Sequence, residues 1–328
     1  MIGPTFPPLK PFTFPVGPTG PTGPTGLTGL TGPSTSVVYV ANSFASTVSV
    51  INEATNTVFA TVPVGFAPFR VGVNSLTNLI YVTNQGSVDV SVIDGVTKTV
   101  VATISLPVGE LPSDIGVNSS TNRIYVANQD NTVSVIDGGT NTVVATVLVG
   151  FQSFGIGVNF LTNRIYVANL TSNDLSVIDG GTNIVVATVP LGTSPGFVGV
   201  NSLTNRIYVP NQGSNDVSVI SGAANMVIAT ISVGSDPTAA GVNELTNRIY
   251  IANGVSNNVS VINGGINTVI GTIPVGLTPV GVGVDSLTNL IYITNRDSNN
   301  VSVIDGATSI VIATISVGSK PIGVGVNP

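Results

Sequence analysis

Short runs of Val, Ile, Thr and Tyr, interrupted every few positions by Asn, Ser, Gly or Asp, fill the chain from about residue 35 to its end. Runs this short, rich in β-branched and aromatic residues, predict strands rather than helices. One unit shows the layout. Val71-Gly72-Val73-Asn74 reads as a first strand, Ser75-Leu76-Thr77-Asn78 as a turn, and Ile80-Tyr81-Val82-Thr83-Asn84 as a second strand. Val90-Ser91-Val92-Ile93 is a third, closed by the hairpin signal Asp94-Gly95, and residues 99–104 are a fourth. The near-continuous valines predict strands buried on both faces, as when sheets stack on one another.

The unit repeats. Tyr39, Tyr81, Tyr125, Tyr166, Tyr208, Tyr250 and Tyr292 are the 7 tyrosines of the chain, spaced 42, 44, 41, 42, 42 and 42 residues apart. A period of 40–45 residues with four short strands per repeat predicts a β-propeller. The Gly-Val-Asn strand also occurs seven times, at Gly72, Gly116, Gly157, Gly199, Gly241, Gly283 and Gly325. Its first copy follows the first tyrosine strand and its last copy ends the chain. The expected fold is therefore all-β: a seven-bladed propeller of four-stranded antiparallel blades. A C-terminal strand over residues 321–327 would complete blade one with three strands from residues 37–63. That 1+3 closure joins distant ends and removes two open sheet edges. Glycine on the innermost strand fits the crowding of blades near the axis.

The first 34 residues read differently. Residues 1–16 hold Pro4, Pro7, Pro8, Pro11 and Pro15, which favour an extended polyproline geometry. Residues 17–34 run in triplets, GPT-GPT-GPT-GLT-GLT-GPS, with the glycine at every third place that a collagen axis requires. The domain reading is an extended leader over 1–16, a collagen-like stalk over 17–34 and the propeller over 35–328. The whole N-terminus is expected to be extended or disordered.

Composition narrows the chemistry. Charged residues make up 7% of the chain, against roughly 25% in an ordinary soluble domain. There is no cysteine, histidine or tryptophan. That excludes disulfides, thiol nucleophiles, zinc–thiolate sites and a Ser-His-Asp triad. A net charge of −6 argues against a nucleic-acid partner, which needs clustered Lys and Arg. Mean hydropathy is +0.50, yet polar residues or glycine break every apolar run well short of about 18 positions, so no transmembrane segment is expected. The N-terminus has neither the charged nor the apolar region of a secretory signal. No cofactor and no metal are expected.

The units Tyr81-Val82-Thr83-Asn84, Val90-Ser91-Val92-Ile93-Asp94 and Val101-Ala102-Thr103-Ile104 resemble the YVTN-family β-propeller repeat, which also occurs in surface-layer proteins. The resemblance covers about nine-tenths of the chain and implies a fold more than an activity. The N-terminus is similar to the leader and stalk of bacillus-type collagen-like exosporium glycoproteins. That similarity implies an anchoring leader at Ile2, Gly3, Pro4, Thr5, Pro7 and Pro8, and glycosylation at Thr19, Thr22 and Thr25. It further implies assembly onto the spore surface from the mother cell, with exosporium basal-layer proteins as partners. This chain departs from that family in having six triplets and a propeller where a trimerising jelly roll stands.

Three constellations invite a functional reading, each beside a structural one. Asp94, Asp137, Asp179 and Asp305 end third strands, where Asn52, Ser221 and Asn263 stand in other repeats; they read as calcium ligands or as turn caps. Arg123, Arg164, Arg206 and Arg248 begin successive tyrosine strands, an arc for an anionic glycan or a set of cross-strand pairs such as Arg123–Asp137 and Arg164–Asp179. Arg70 and Asp114 stand two residues before the inner glycines of adjacent blades, where they would meet at the mouth of the channel. The function expected is a non-enzymatic spore-surface display protein. A surface adhesin reading glycans or host surfaces is the alternative, and a propeller hydrolase resembling lactonases the third.

Overall fold

Among the described residues, twenty-eight strands pair antiparallel into seven four-stranded sheets. The computed structural model describes Met1, Gly3 and residues 36–107 and 111–328. By internal contacts the chain divides into Met1–Ser34 and Thr35–Pro328. The leader positions Ile2, Pro4, Thr5, Pro7 and Pro8 and the stalk threonines Thr19, Thr22 and Thr25 lie outside the described residues. Gly3 is described, and a β-carbon built on it would meet no described atom within 4 Å beyond its chain neighbours.

The sheets are the blades of a propeller with the predicted closure. Blade one has the order Pro321–Asn327, Val37–Asn42, Thr47–Asn52, Thr57–Pro63, so its inner strand comes from the C-terminus. That strand runs antiparallel to its neighbour from Val37↔Asn327 to Asn42↔Pro321. The other six blades are continuous in sequence.

The tyrosine strands are buried along nearly their whole length, and all seven tyrosines are fully buried. The core lies between blades: Tyr81, Val90 and Val92 of blade two pack with Ile124, Val126 and Ile136 of blade three, and the other seams repeat the pattern. The Asn and Ser of the repeat are explained by one buried bond per blade. Nδ2 of Asn42, Asn84, Asn128, Asn169, Asn211, Asn253 and Asn295 donates to the third-strand serine at 2.9–3.0 Å. Each bond satisfies two polar groups that burial would otherwise penalise. Turns close on left-handed asparagines such as Asn56, Asn78 and Asn122, with φ of 51–53°.

Inner strands do crowd the axis. A β-carbon on Gly116 would lie 2.8 Å from Val158 Cγ2, and one on Gly72 would lie 2.9 Å from Val117 Cγ2. The outer strands are edges, exposed or half-buried except for a buried next-to-last residue in each, and none carries a charge. Each has the same one-residue bulge at its third position, for example Phe59 and Ile228. A bulge kinks an edge and discourages pairing with another chain, a task that charged residues perform elsewhere.

Candidate ligand site at the channel mouth

Two residues before the inner glycine of each blade stand seven equivalent residues, Arg70, Asp114, Gly155, Phe197, Ala239, Gly281 and Gly323. Two large side chains fit because three glycines and an alanine share the ring with them. A β-carbon on Gly323 would come within 2.6 Å of Arg70 Cα, and one on Gly281 within 3.3 Å of Arg70 Nη1.

The structure brings Arg70 and Asp114 together, with Arg70 Nε 4.0 Å from Asp114 Oδ1. Both are buried, at 6% and 7% exposure. Arg70 donates from Nη1 to Ile322 O and from Nη2 to Val280 O, each at 3.3 Å, while Nε has no hydrogen-bond acceptor. Its guanidinium carbon lies 3.3 Å from the centre of the Phe197 ring. Asp114 accepts from the amides of Ile115 at 2.9 Å and Ile156 at 2.8 Å. Burial lowers the Arg70 pKa to about 10 and raises that of Asp114 to about 6. Each partner favours the other's charged form, so desolvation outweighs the attraction on both sides.

Phe197 was not among the residues singled out from the sequence, although the count that selects Arg70 and Asp114 also selects it. Its position has a local cause. The second strand of its blade is Arg206–Asn211, with Pro210 where other blades have Ala or Thr. Proline has no amide to donate, so the ladder cannot continue opposite Phe197. The regular inner strand shrinks to Gly199–Asn201. Phe197 bridges in parallel to Ala239 of the next blade, donating from its amide to Thr238 O at 2.9 Å.

Beside Arg70 and Phe197 lies a cavity of about 210 Å³, bordered by Phe69, Phe154 and Phe197, with Gln212, Asp236 and Arg296 among its polar residues. The ring centres of Phe154 and Phe197 are 4.6 Å apart, and those of Phe69 and Phe197 are 6.2 Å apart. Arg70 and Phe197 also line a second space of about 110 Å³ deeper in the channel, with Asp114, Val198 and Val282. A cavity bordered by aromatic rings, with Arg296 and the Gln212 amide among its lining groups, suits a ligand with one apolar face and several hydroxyl or acidic groups.

The other constellations are taken up by structure. Arg123 pairs with Asp137, and Arg164 with Asp179. Arg248 donates to Gly306 O of the next blade at 2.6 Å. Arg206 stands opposite Ser221 and has no carboxylate partner among the described residues. The four arginines are therefore spread over four blades and do not converge. The third-strand carboxylates cap their own turns: Asp94 Oδ1 accepts from Val96 and Thr97, and Asp137 Oδ1 from Gly139 and Thr140. Asn52 and Asn263 cap theirs through Thr55 and Gly265. The bond from the Thr97 amide holds Asp94 below the usual carboxylate range, and the Arg123 side chain does the same for Asp137.

No family model and no curated protein match the chain. Solved structures do. The hydrazine synthase of Kuenenia stuttgartiensis superposes with a TM-score of 0.74 at 19% identity, covering 82% of this chain and 92% of that one. A functionally unknown protein from Desulfotomaculum acetoxidans superposes with a TM-score of 0.78 at 12% identity, covering 88% and 98%. At these identities the likeness is one of fold. No helix among the described residues is long and apolar enough to cross a membrane.

Proposed function

We propose that this chain is a non-enzymatic display protein of the spore surface, a propeller of YVTN-type repeats carried on a short collagen-like stalk. The observation that carries the reading is how the channel is filled. Arg70 is engaged with two carbonyls and Phe197, and both oxygens of Asp114 accept backbone amides. The charged pair that an enzyme would place at the axis is thus tied into the fold. The proline-rich leader and the glycine triplets support the placement. Residues 1–34 fused to a fluorescent protein should decorate sporulating cells, and antibody labelling of sectioned spores should mark the outermost layer. A fusion that stays in the mother-cell cytoplasm overturns the localisation. Catalytic turnover lost on Asp114→Ala overturns the non-enzymatic reading.

The mouth cavity favours a second reading, a glycan-binding module. Phe154 would stack on the apolar face of a sugar, while Arg296 and Gln212 would engage its acidic and hydroxyl groups. Binding on a glycan array that Phe154→Ala and Arg296→Ala both abolish would establish it. Binding indifferent to both changes would exclude the mouth.

A further inference from the structure

Six of the seven seams between blades carry the same side-chain link. The asparagine ending an inner strand donates from Nδ2 to Oδ1 of the asparagine in the next blade's first turn. The pairs are Asn327–Asn78, Asn74–Asn122, Asn118–Asn163, Asn159–Asn205, Asn201–Asn247 and Asn243–Asn289, at 2.7–2.9 Å. The seventh seam, between blades seven and one, is built otherwise. Blade seven's inner strand ends in Asp285. The turn that would supply the receiving asparagine does not exist, because blade one's inner strand is the C-terminal strand and its second strand begins at Val37.

Glu53 stands beside that gap. It follows the third strand of blade one, at the place where the other blades have Gly95, Gly138, Gly180, Gly222, Gly264 and Gly306. In those blades the turn asparagine presses on the glycine: a β-carbon on Gly306 would lie 2.7 Å from Asn289 Cγ. Blade one has no such asparagine, so a side chain fits, and the Glu53 amide donates instead to Ser36 O at 3.2 Å.

Glu53 and Asp285 are 7% and 1% exposed. Asp285 Oδ1 accepts from the amides of Leu287 at 2.8 Å and Thr288 at 3.2 Å. Asp285 Oδ2, Glu53 Oε2 and the Tyr292 hydroxyl are buried without a fixed partner. The Glu53 carboxyl meets Asp285, Thr288 and Tyr292; the titratable groups at the seam are these two carboxyls and Tyr292. None of the ion pairs among the described residues includes either acid. Two ionised carboxylates are acceptors only and cannot bond to each other; a single proton turns one into a donor.

We propose that the ring is latched at this seam by a proton: Glu53 is a carboxylic acid in the closed ring and donates its hydrogen to Asp285 Oδ2. The acid does for this seam what an asparagine amide does for the other six. Burial, with the charge of Asp285 adding to it, raises the Glu53 pKa above its ordinary value and outweighs the Thr288 and Tyr292 hydroxyls, which favour the carboxylate. A raised folded-state pKa means the stabilisation is fully present below the unfolded value and is lost as pH rises through the folded one. The seam is therefore tightest in acid and loosens as pH rises. A cation is a poorer fit, since calcium collects six to eight oxygens and the pair offers two free carboxylate oxygens and a phenol.

The test uses the full chain and its urea midpoint at about pH 5 and about pH 8. Glu53→Gln supplies a permanent amide donor, and Asp285→Asn supplies one from the other side. Both should raise the midpoint above wild type at the higher pH and leave it close to wild type at the lower. Because Asp114, raised to about 6, titrates between these two pH values, the profiles are compared as differences from wild type. If Glu53→Gln does not fold, Asp285→Asn alone decides. Profiles parallel to wild type in the variants, or a lower midpoint at the higher pH, overturn the latch. So does a wild-type midpoint that calcium chloride raises and Glu53→Gln makes insensitive, which would assign the pair to a cation.

Discussion

The Arg70 guanidinium lies over the Phe197 ring, its central carbon 3.3 Å from the ring centre, and this contact joins blade two to blade five. Cation–π contacts contribute about 2 kcal/mol or more when desolvated, as this one is. Phe197→Leu should keep most of the apolar bulk and lose the contact, lowering unfolding free energy by about 1–3 kcal/mol in urea denaturation.

Removing one member of the buried pair should cost more than removing both. Arg70→Met leaves Asp114 without its cation and should cost about 3–5 kcal/mol near pH 8. The double variant Arg70→Met with Asp114→Leu should recover much of that loss, because no buried charge remains. A double-mutant cycle with additive losses would show that the two residues do not interact.

Asp114 gives the pair a pH signature. Its pKa is raised from 3.8 to about 6, so its protonated form stabilises the fold at low pH, and that stability is lost as pH rises through about 6. Asp114→Asn should flatten the stability profile between those values. An unchanged slope in thermal melts across that range would contradict the assignment.

Glycines of the inner strands should differ in cost according to what they face. At Gly72 an added β-carbon meets the Val117 methyl at 2.9 Å, a side chain that can turn away; at Gly323 it meets Phe69 O and Arg70 Cα at 2.6 Å. Gly72→Ala should cost about 1–3 kcal/mol, and Gly323→Ala should cost more and displace Arg70. Equal midpoints for the two variants would refute the crowding account.

Deleting residues 321–328 removes the inner strand of blade one and exposes the edge of Val37–Asn42 along its length. The shortened chain should lose its sharp cooperative transition and form oligomers by size-exclusion chromatography, because an open, apolar edge pairs with another. A monomer with an unchanged transition would show that the closure is dispensable.

The sequence by itself determined the blade. Tyrosine spacing gave the repeat number, and the offset between the first Gly-Val-Asn strand and the first tyrosine strand gave the 1+3 closure, because strand periodicity and turn chemistry are local. Turn caps at Asp94 and Asp137 and the pairs Arg123–Asp137 and Arg164–Asp179 were legible for the same reason, since register within a hairpin follows from counting. The channel was not. Seven inner strands far apart in sequence meet at the axis, and only their closure shows that four small residues make room for Arg70 and Phe197. Pro210 was a visible signal whose effect, freeing Phe197 from its ladder, depends on the neighbouring blade to which the strand then bonds. The seam at Glu53 and Asp285 follows the same rule: two unremarkable acids become a buried pair because ring closure brings residues 232 positions apart into one contact, with neither in an ion pair among the described residues.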